Sequence, residues 1–495
     1  MPEMKWITAN APVGGLRLDV PSTLLPPQNT PACSNMRFIN AYIEKGKGSA
    51  AFAGTGASAL NGKVMKLSEF GNDAGADFLL ALTTTKTYEL YTGTFTDRSS
   101  AAWTGDEDDR FCTVAYNNQL IICNGKEAIR EWDTTNANDA ALANADDYRP
   151  NWMGIFGERL CLYGVYNNNA STNYPRRIRW PVAGDATDWS GTGSGAKDLR
   201  TELTSGDEIV RAEPLQNSMF VYGGRSIAVQ DYRADANSPF PTAAMTDEIG
   251  LAAPDALVNI AGGEHIILGF DGIYSYKGGK AGTPIDAAIH DDLFTNMNMQ
   301  YINRSFMTFA PEHDKIRLFY PRGTDTTPGH FYEVNLRGMT WTRGTRSFTG
   351  AGRYKDATND LYTMYGDGSG VVYEDDETDL NIGSTAIDGT YETPDFLGEE
   401  ADQTLINNWM VLYIEAKGGA NDKLVVQFST DSGSSWNAAP LRMLTMTTDW
   451  KMYRLDFEIN SVKIRFRFRN NVVSETFASR MYKVGYIPGS EVGTV

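Results

Sequence analysis

The chain is poor in the residues that most often mark chemistry. It has four histidines and four cysteines in 495 residues. His265, His290, His313 and His330 are scattered and form neither HxH nor HExxH, so a histidine-based metal centre has no sequence support. Cys33, Cys112, Cys123 and Cys161 match no zinc spacing. Cys112 and Cys123 would face each other if Asn117-Asn118 form a two-residue hairpin loop. Counting outward from that loop puts the pair at a hydrogen-bonded site, where side chains stand further apart. All four read as reduced, buried thiols of a protein made in the cytoplasm. No Walker loop and no GxSxG is present, and GRSIAVQD around Ser226 lacks the second glycine of a nucleophile elbow.

Long apolar runs are missing too. MPEMKWITAN has no signal core, and no stretch reaches membrane-spanning length, so neither a signal peptide nor a transmembrane anchor is expected. Positive charge is in deficit, with 44 bases against 62 acids and a formal net charge of −18. Such a surface repels phosphate backbones and argues against a general nucleic-acid binder. It suits the ordinary solubility of an acidic protein, and also a wall past which DNA slides without sticking; charge alone does not separate the two.

What is abundant is glycine, at 48, and aromatics, with 24 Tyr, 22 Phe and 10 Trp. Short apolar runs separated by Gly, Asn, Asp and Ser clusters argue for an all-β chain of two or three domains. One unit recurs: strand, polar turn, strand, turn, then a Tyr- or Trp-bearing strand. It appears at 64–93, 112–134, 153–180, 210–233, 258–279, 307–342 and 351–376. Aligned, the units put Leu79, Leu120, Leu160, Phe220, Ile266, Ile316 and Leu361 at equivalent places, spaced by about 40 to 60 residues as in propeller blades. A lone twisted sheet cannot bury both faces, whereas a ring of sheets can. The expectation is a β-propeller of six or seven blades over 61–378, six if the first and last units share one blade. Residues 1–60 form an N-terminal arm, VPSTLLPPQNTP, and a strand pair, MRFINAYIEKGKG. Residues 379–495 read as a β-sandwich, from the period-two strands NWMVLYIEAKG, DKLVVQFSTD, DWKMYRLDFEI and VKIRFRFRN. In KIRFRFR the Ile and Phe side chains should enter the core and the arginines should line a basic, solvated outer face.

Three local patterns test for a site. FSTDSGSSW places Ser429, Asp431, Gly433 and Trp436 at the spacing of the Asp-box turn of sialidases. Each residue has a structural role: Ser and Asp bond a tight turn, Gly takes positive φ, and Trp packs back over it. It is the sole match in the chain and falls outside the propeller, so it reads as a stabilised hairpin turn. DEDD at 106–109 lacks the alternation of a calcium loop and reads as a solvated loop. YGDGSG at 365–370 reads as a hairpin turn. No catalytic, cofactor-binding or metal-binding residue is named, and the chain is not expected to be an enzyme.

The order of parts, and the pairing of SMFVYGGRSIAVQDYR with HIILGFDGIYSYKGGKAGTPI, resemble the tail-hub or nozzle proteins of short-tailed phages, the P22-type packaged-DNA stabilisation family. The resemblance implies a structural role. Six copies form a ring below the head-to-tail adaptor protein, extend the DNA ejection channel, help retain packaged DNA, and carry tail spikes or fibres. DNA then passes without sequence-specific binding, and the protein resides in the virion tail after assembly in the host cytoplasm. No family residue is catalytic, and no cofactor is implied. The alternatives are a carbohydrate-binding or glycoside-hydrolysing propeller protein, and a host-derived interaction scaffold.

Overall fold

The computed structural model describes residues 3–10, 13–39, 41–52, 59–235, 238–260, 263–355, 360–375, 378–398 and 405–489. Residues 356–359 and 376, part of the last predicted unit, lie outside them. The chain is all-β. Among the described residues the only α-helix is His290–Asn296, which the strand-based reading did not anticipate.

Residues 64–375 build seven consecutive antiparallel sheets, each beginning with its first strand in chain order. The first strands are Val64–Gly71, Cys112–Tyr116, Tyr148–Phe156, Ile209–Leu215, Leu257–Ile260, Phe306–Ala310 and Gly350–Lys355. The second strands are apolar on both faces because each sheet is sandwiched between two others. Leu79 and Ala81 pack toward the seventh sheet, while Leu80 and Leu82 pack toward the second. Leu120 and Ile122 face the first sheet, while Ile121 and Cys123 face the third. The circuit closes where Gly350 and Gly352 meet the first sheet: a Cβ there would lie 2.2 Å from the Met65 carbonyl oxygen and 2.0 Å from that of Leu67.

The seven residues aligned from sequence all lie on second strands. Six are buried, but Leu361 is 39% exposed, because it sits at the hairpin end opposite Lys355. Met364 is the core residue of that strand, 0% exposed. Asn117 and Asn118 do form the two-residue loop, with φ of 49° and 61°, and set Cys112 opposite Cys123 as free, buried thiols.

Closure does not follow the expected scheme of first and last units sharing one sheet. Each forms its own, and the fourth strand of the seventh sheet is Ser49–Ala51, paired with Val372–Asp375. Asn381–Ile382 then pairs beside it, so this sheet crosses both expected boundaries, at 60 and at 378. The closing strand is fixed by a buried ion pair and a buried hydrogen bond: Arg317 bonds Asp375 at 2.7 Å, and Arg346 donates to the Ser49 hydroxyl at 3.1 Å.

Two more sheets follow. One contains Lys451–Ser461, Asn407–Gly418 and Phe477–Ile487, and extends through Tyr42–Lys45 to Met36–Ile39. The other contains Gly389–Glu392, Lys463–Asn470 and Lys423–Ser429. Trp409, Leu412 and Tyr482 of the one share a core with Val426, Phe466 and Phe468 of the other, continuous with Ile266 and Tyr332 of the ring. The arm finds its partners in this same chain. Leu18 N–H donates to Ala288 (2.8 Å), Thr30 donates to the Glu392 carbonyl (2.7 Å), and Tyr482 donates to the Pro27 carbonyl (2.7 Å).

Candidate functional site

Six of the seven sheets, or the segments just before them, bring a charged or aromatic side chain to one cluster. Lys66 comes from the first sheet, Arg110 from just before the second, Trp152 from the third and Arg211 from the fourth. Asp255 precedes the fifth, and Arg353 lies on the first strand of the seventh. Arg110 Nε donates to Asp255 Oδ2 at 2.8 Å, and Lys66 Nζ stands 3.7 Å from Asp255 Oδ1. Arg110 also donates to the Thr349 carbonyl at 3.1 Å, tying the second, fifth and seventh sheets together. The Arg211 guanidinium lies 4.6 Å from the Trp152 ring centre, with the Lys66 ammonium 5.2 Å from the same ring. Arg211 donates to Glu213 at 2.7 Å and to the Pro254 carbonyl at 3.0 Å.

Cations outnumber carboxylates here, against the balance of the whole chain. Burial alone would raise the Asp255 pKa, but Arg110 and Lys66 outweigh it and hold the group below its ordinary value. Beside the cluster opens a cavity of about 280 Å³, walled by Leu67, Leu257, Met307 and Phe309 among others. Two polar groups facing it are unmet. Arg353 makes no hydrogen bond or ion pair among the described residues. The Thr363 hydroxyl, on a residue 4% exposed, has no partner either. The two residues are cross-strand neighbours on one sheet face.

Sequence reasoning passed over this cluster. A signal existed: VMK, IVR and GAGR each place a cation three or four residues into a first strand. Nothing in the sequence, though, says that these strands meet.

The residues singled out from sequence serve local structure. Ser429 Oγ donates to Asp431 (2.6 Å) and accepts from Gly433 N–H (2.8 Å), while Asp431 accepts from Ser435 N–H (2.9 Å). Gly433 has φ of +84°, and Trp436 covers it. Hydrogen bonds from Ser429 and Ser435 hold the Asp431 carboxyl well below its ordinary range. In KIRFRFR, Ile464, Phe466 and Phe468 are buried as the alternation requires. The arginine face is not a bare solvated one, because neighbouring segments lay carboxylates and an indole over it. Arg465 pairs with Asp395 at 2.9 Å, Arg469 with Asp388 at 2.7 Å, and Arg467 stacks 4.2 Å from the Trp436 ring centre.

DEDD is likewise more than a solvated loop. Asp108 is gripped by Arg304 at 2.7 and 2.8 Å, and Glu107 meets Lys63 and Arg304, so the loop clasps the first two sheets to the sixth. Asp367 caps the 365–370 turn through Ser369 and Val371 N–H. Ser226 donates to Asp207 at 2.5 Å. His265 is wholly buried between the Tyr222 hydroxyl (2.6 Å) and the Pro214 carbonyl (3.1 Å), and burial lowers its pKa to about 4. Among the described residues, no group of three or more His, Cys, Asp or Glu could hold a metal ion, and no helix is long and apolar enough to cross a membrane.

No protein-family model and no curated protein matches the chain. Several solved structures do. BamB from Moraxella catarrhalis is 11% identical, with 75% of this chain and 97% of that one covered and a TM-score of 0.36. The extracellular domain of the one-component system BT4673 from B. thetaiotaomicron is 10% identical over 86% of this chain and 60% of its own, at a TM-score of 0.40. The computationally designed Ika8 protein is 8% identical over 64% and 96%, at a TM-score of 0.34.

Proposed function

We propose that this chain is a structural protein of a short-tailed phage tail, a nozzle or tail-hub subunit. Six copies would form a ring that extends the DNA ejection channel, joins the head-to-tail adaptor and carries a spike or fibre. In this reading residues 49–51 and 64–375 are a seven-bladed β-propeller, and the last two sheets are a β-sandwich completed by the N-terminal strand pair.

The observation that carries the proposal is the way the chain is locked into one solid body. The Arg110–Asp255 pair crosses the propeller axis at 2.8 Å. The N-terminal segments close the last blade and extend a C-terminal sheet. A subunit of this kind is a wall element: DNA would pass between copies and not through the axis of any one. A net charge of −18 makes such a wall repel the phosphate backbone. Ser226, His265 and Asp431 bond neighbouring turns and strands, the kind of local role this reading gives them.

Light scattering on the purified full-length protein, alone and with its adaptor, tests the reading. The expected result is a six-copy assembly in which each copy buries at least ~1,000 Å² against the next, above the range of casual contacts. A chain that stays monomeric with its tail partners present would overturn it.

A further inference from the structure

We propose that the axial cavity is a binding site for a small organic anion, a carboxylate or phosphate monoester attached to a compact apolar body. The assignment stands on the cavity alone and is independent of the tail reading.

Three features define the ligand. The first is unbalanced charge. Of the cations around the axis, Arg110 is satisfied by Asp255 and by the Thr349 carbonyl, and Arg211 by Glu213 and two backbone carbonyls. Lys66 has a long 3.7 Å contact to the already engaged Asp255 and lies 5.2 Å from the Trp152 ring centre, and Arg353 has no hydrogen bond or ion pair among the described residues, its carboxylate influence being that of Glu69. Two under-paired cations thus face one cavity, an arrangement a bound anion would complete with charge-assisted hydrogen bonds.

The second feature is the Thr363 hydroxyl. A buried hydroxyl without a partner is uncommon, because leaving it unmet costs stability. It lies beside Arg353 on the same sheet face and lines the same cavity. An oxyanion held by Arg353 would accept from it. The third feature is the wall. Leu67, Leu257, Met307 and Phe309 surround the polar end, and the cavity volume of about 280 Å³ exceeds what a bare inorganic ion needs. Asp255 selects as well: its carboxylate disfavours a second charge deep in the site, so the ligand's single anionic head is placed at Arg353 and Thr363 with its apolar body along the wall.

Isothermal titration calorimetry on the full-length protein tests this with benzoate, phenyl phosphate, inorganic phosphate and benzyl alcohol at matched ionic strength. Saturable binding of benzoate or phenyl phosphate, with none for benzyl alcohol, is the expected result. Whichever of the two binds more tightly tells carboxylate from phosphate as the head. Arg353→Ala should weaken that binding about tenfold or more, and Thr363→Val should weaken it by a smaller factor. Because Arg353 is half-buried and makes no hydrogen bond or ion pair among the described residues, its variant should retain the wild-type Tm, and Lys66→Met provides a second variant if it does not. Equal affinity in Arg353→Ala and Lys66→Met, inorganic phosphate binding as tightly as phenyl phosphate, or no saturable heat with either organic anion would each overturn the proposal.

Discussion

Arg110 and Asp255 are 145 residues apart and meet at 2.8 Å across the centre of the ring. The second sheet supplies the cation and the fifth the carboxylate, so the pair acts as a spoke. Both side chains are largely buried, at 4% and 15% exposure. Breaking such a pair from one side leaves an uncompensated charge indoors. Asp255→Ala should therefore cost roughly 3–5 kcal/mol, because Arg110 and Lys66 lose their shared counter-charge. Urea unfolding of the full chain measures it, and a loss below about 1 kcal/mol, as at an exposed pair, would show that the spoke contributes little to stability.

Leu120, Leu160 and Ile266 are 1%, 0% and 2% exposed on the second strands of their sheets. Each truncation to alanine should cost about 2–5 kcal/mol. Leu361→Ala, at the 39% exposed place, should leave Tm nearly unchanged. Thermal melts of the four variants check the pattern, and a large loss at Leu361 would contradict it.

His265 links the fourth and fifth sheets as a neutral imidazole, its Nε2–H donating to the Pro214 carbonyl and its Nδ1 accepting from the Tyr222 hydroxyl. Burial lowers its pKa to about 4 from 6.5, against a smaller opposing pull from Glu213. The unfolded chain takes up a proton that the folded chain refuses between those values. The stability this contributes is present above pH 6.5 and is lost as pH falls toward 4, amounting to roughly 3 kcal/mol when complete. His265→Gln should show a flatter decline of Tm across that window than the wild type.

The N-terminal arm, VPSTLLPPQNTP, has few partners close to it in sequence. Its partners are instead distant parts of its own chain: Leu16 and Thr30 are buried at 1% and 0%, and the arm bonds Ala288, Glu392 and Tyr482. Deleting residues 1–30 should thus lower Tm and expose the C-terminal core to protease, before any effect on assembly. An unchanged melt would mean that these contacts contribute little.

Much of the fold was legible because each sheet announces itself with turn chemistry and doubly apolar strands. Asn117-Asn118 and the run QLIIC are enough to place a hairpin and its burial. The Asp431 turn was legible for the same reason, since the bonds of its carboxylate lie within seven residues. Closure was not legible: Ser49–Ala51 is three residues of no marked character, and its place is set by Asp375 and Arg346, some 300 residues on. The axial site was hidden for a related reason. Lys66, Arg110, Arg211, Asp255 and Arg353 share no local motif, and only the circular order of the sheets brings them together.

The central claim is that this chain is a solid wall element of a ring with DNA passing between copies. Electron cryo-microscopy of the full-length protein assembled with its adaptor tests it most directly. The account predicts six copies around one open lumen, bounded by the outer surfaces of neighbouring subunits, with closed density at every Arg110–Asp255 axis. A monomer beside an otherwise assembled tail, or a lumen running through the axis of a single subunit, would contradict it.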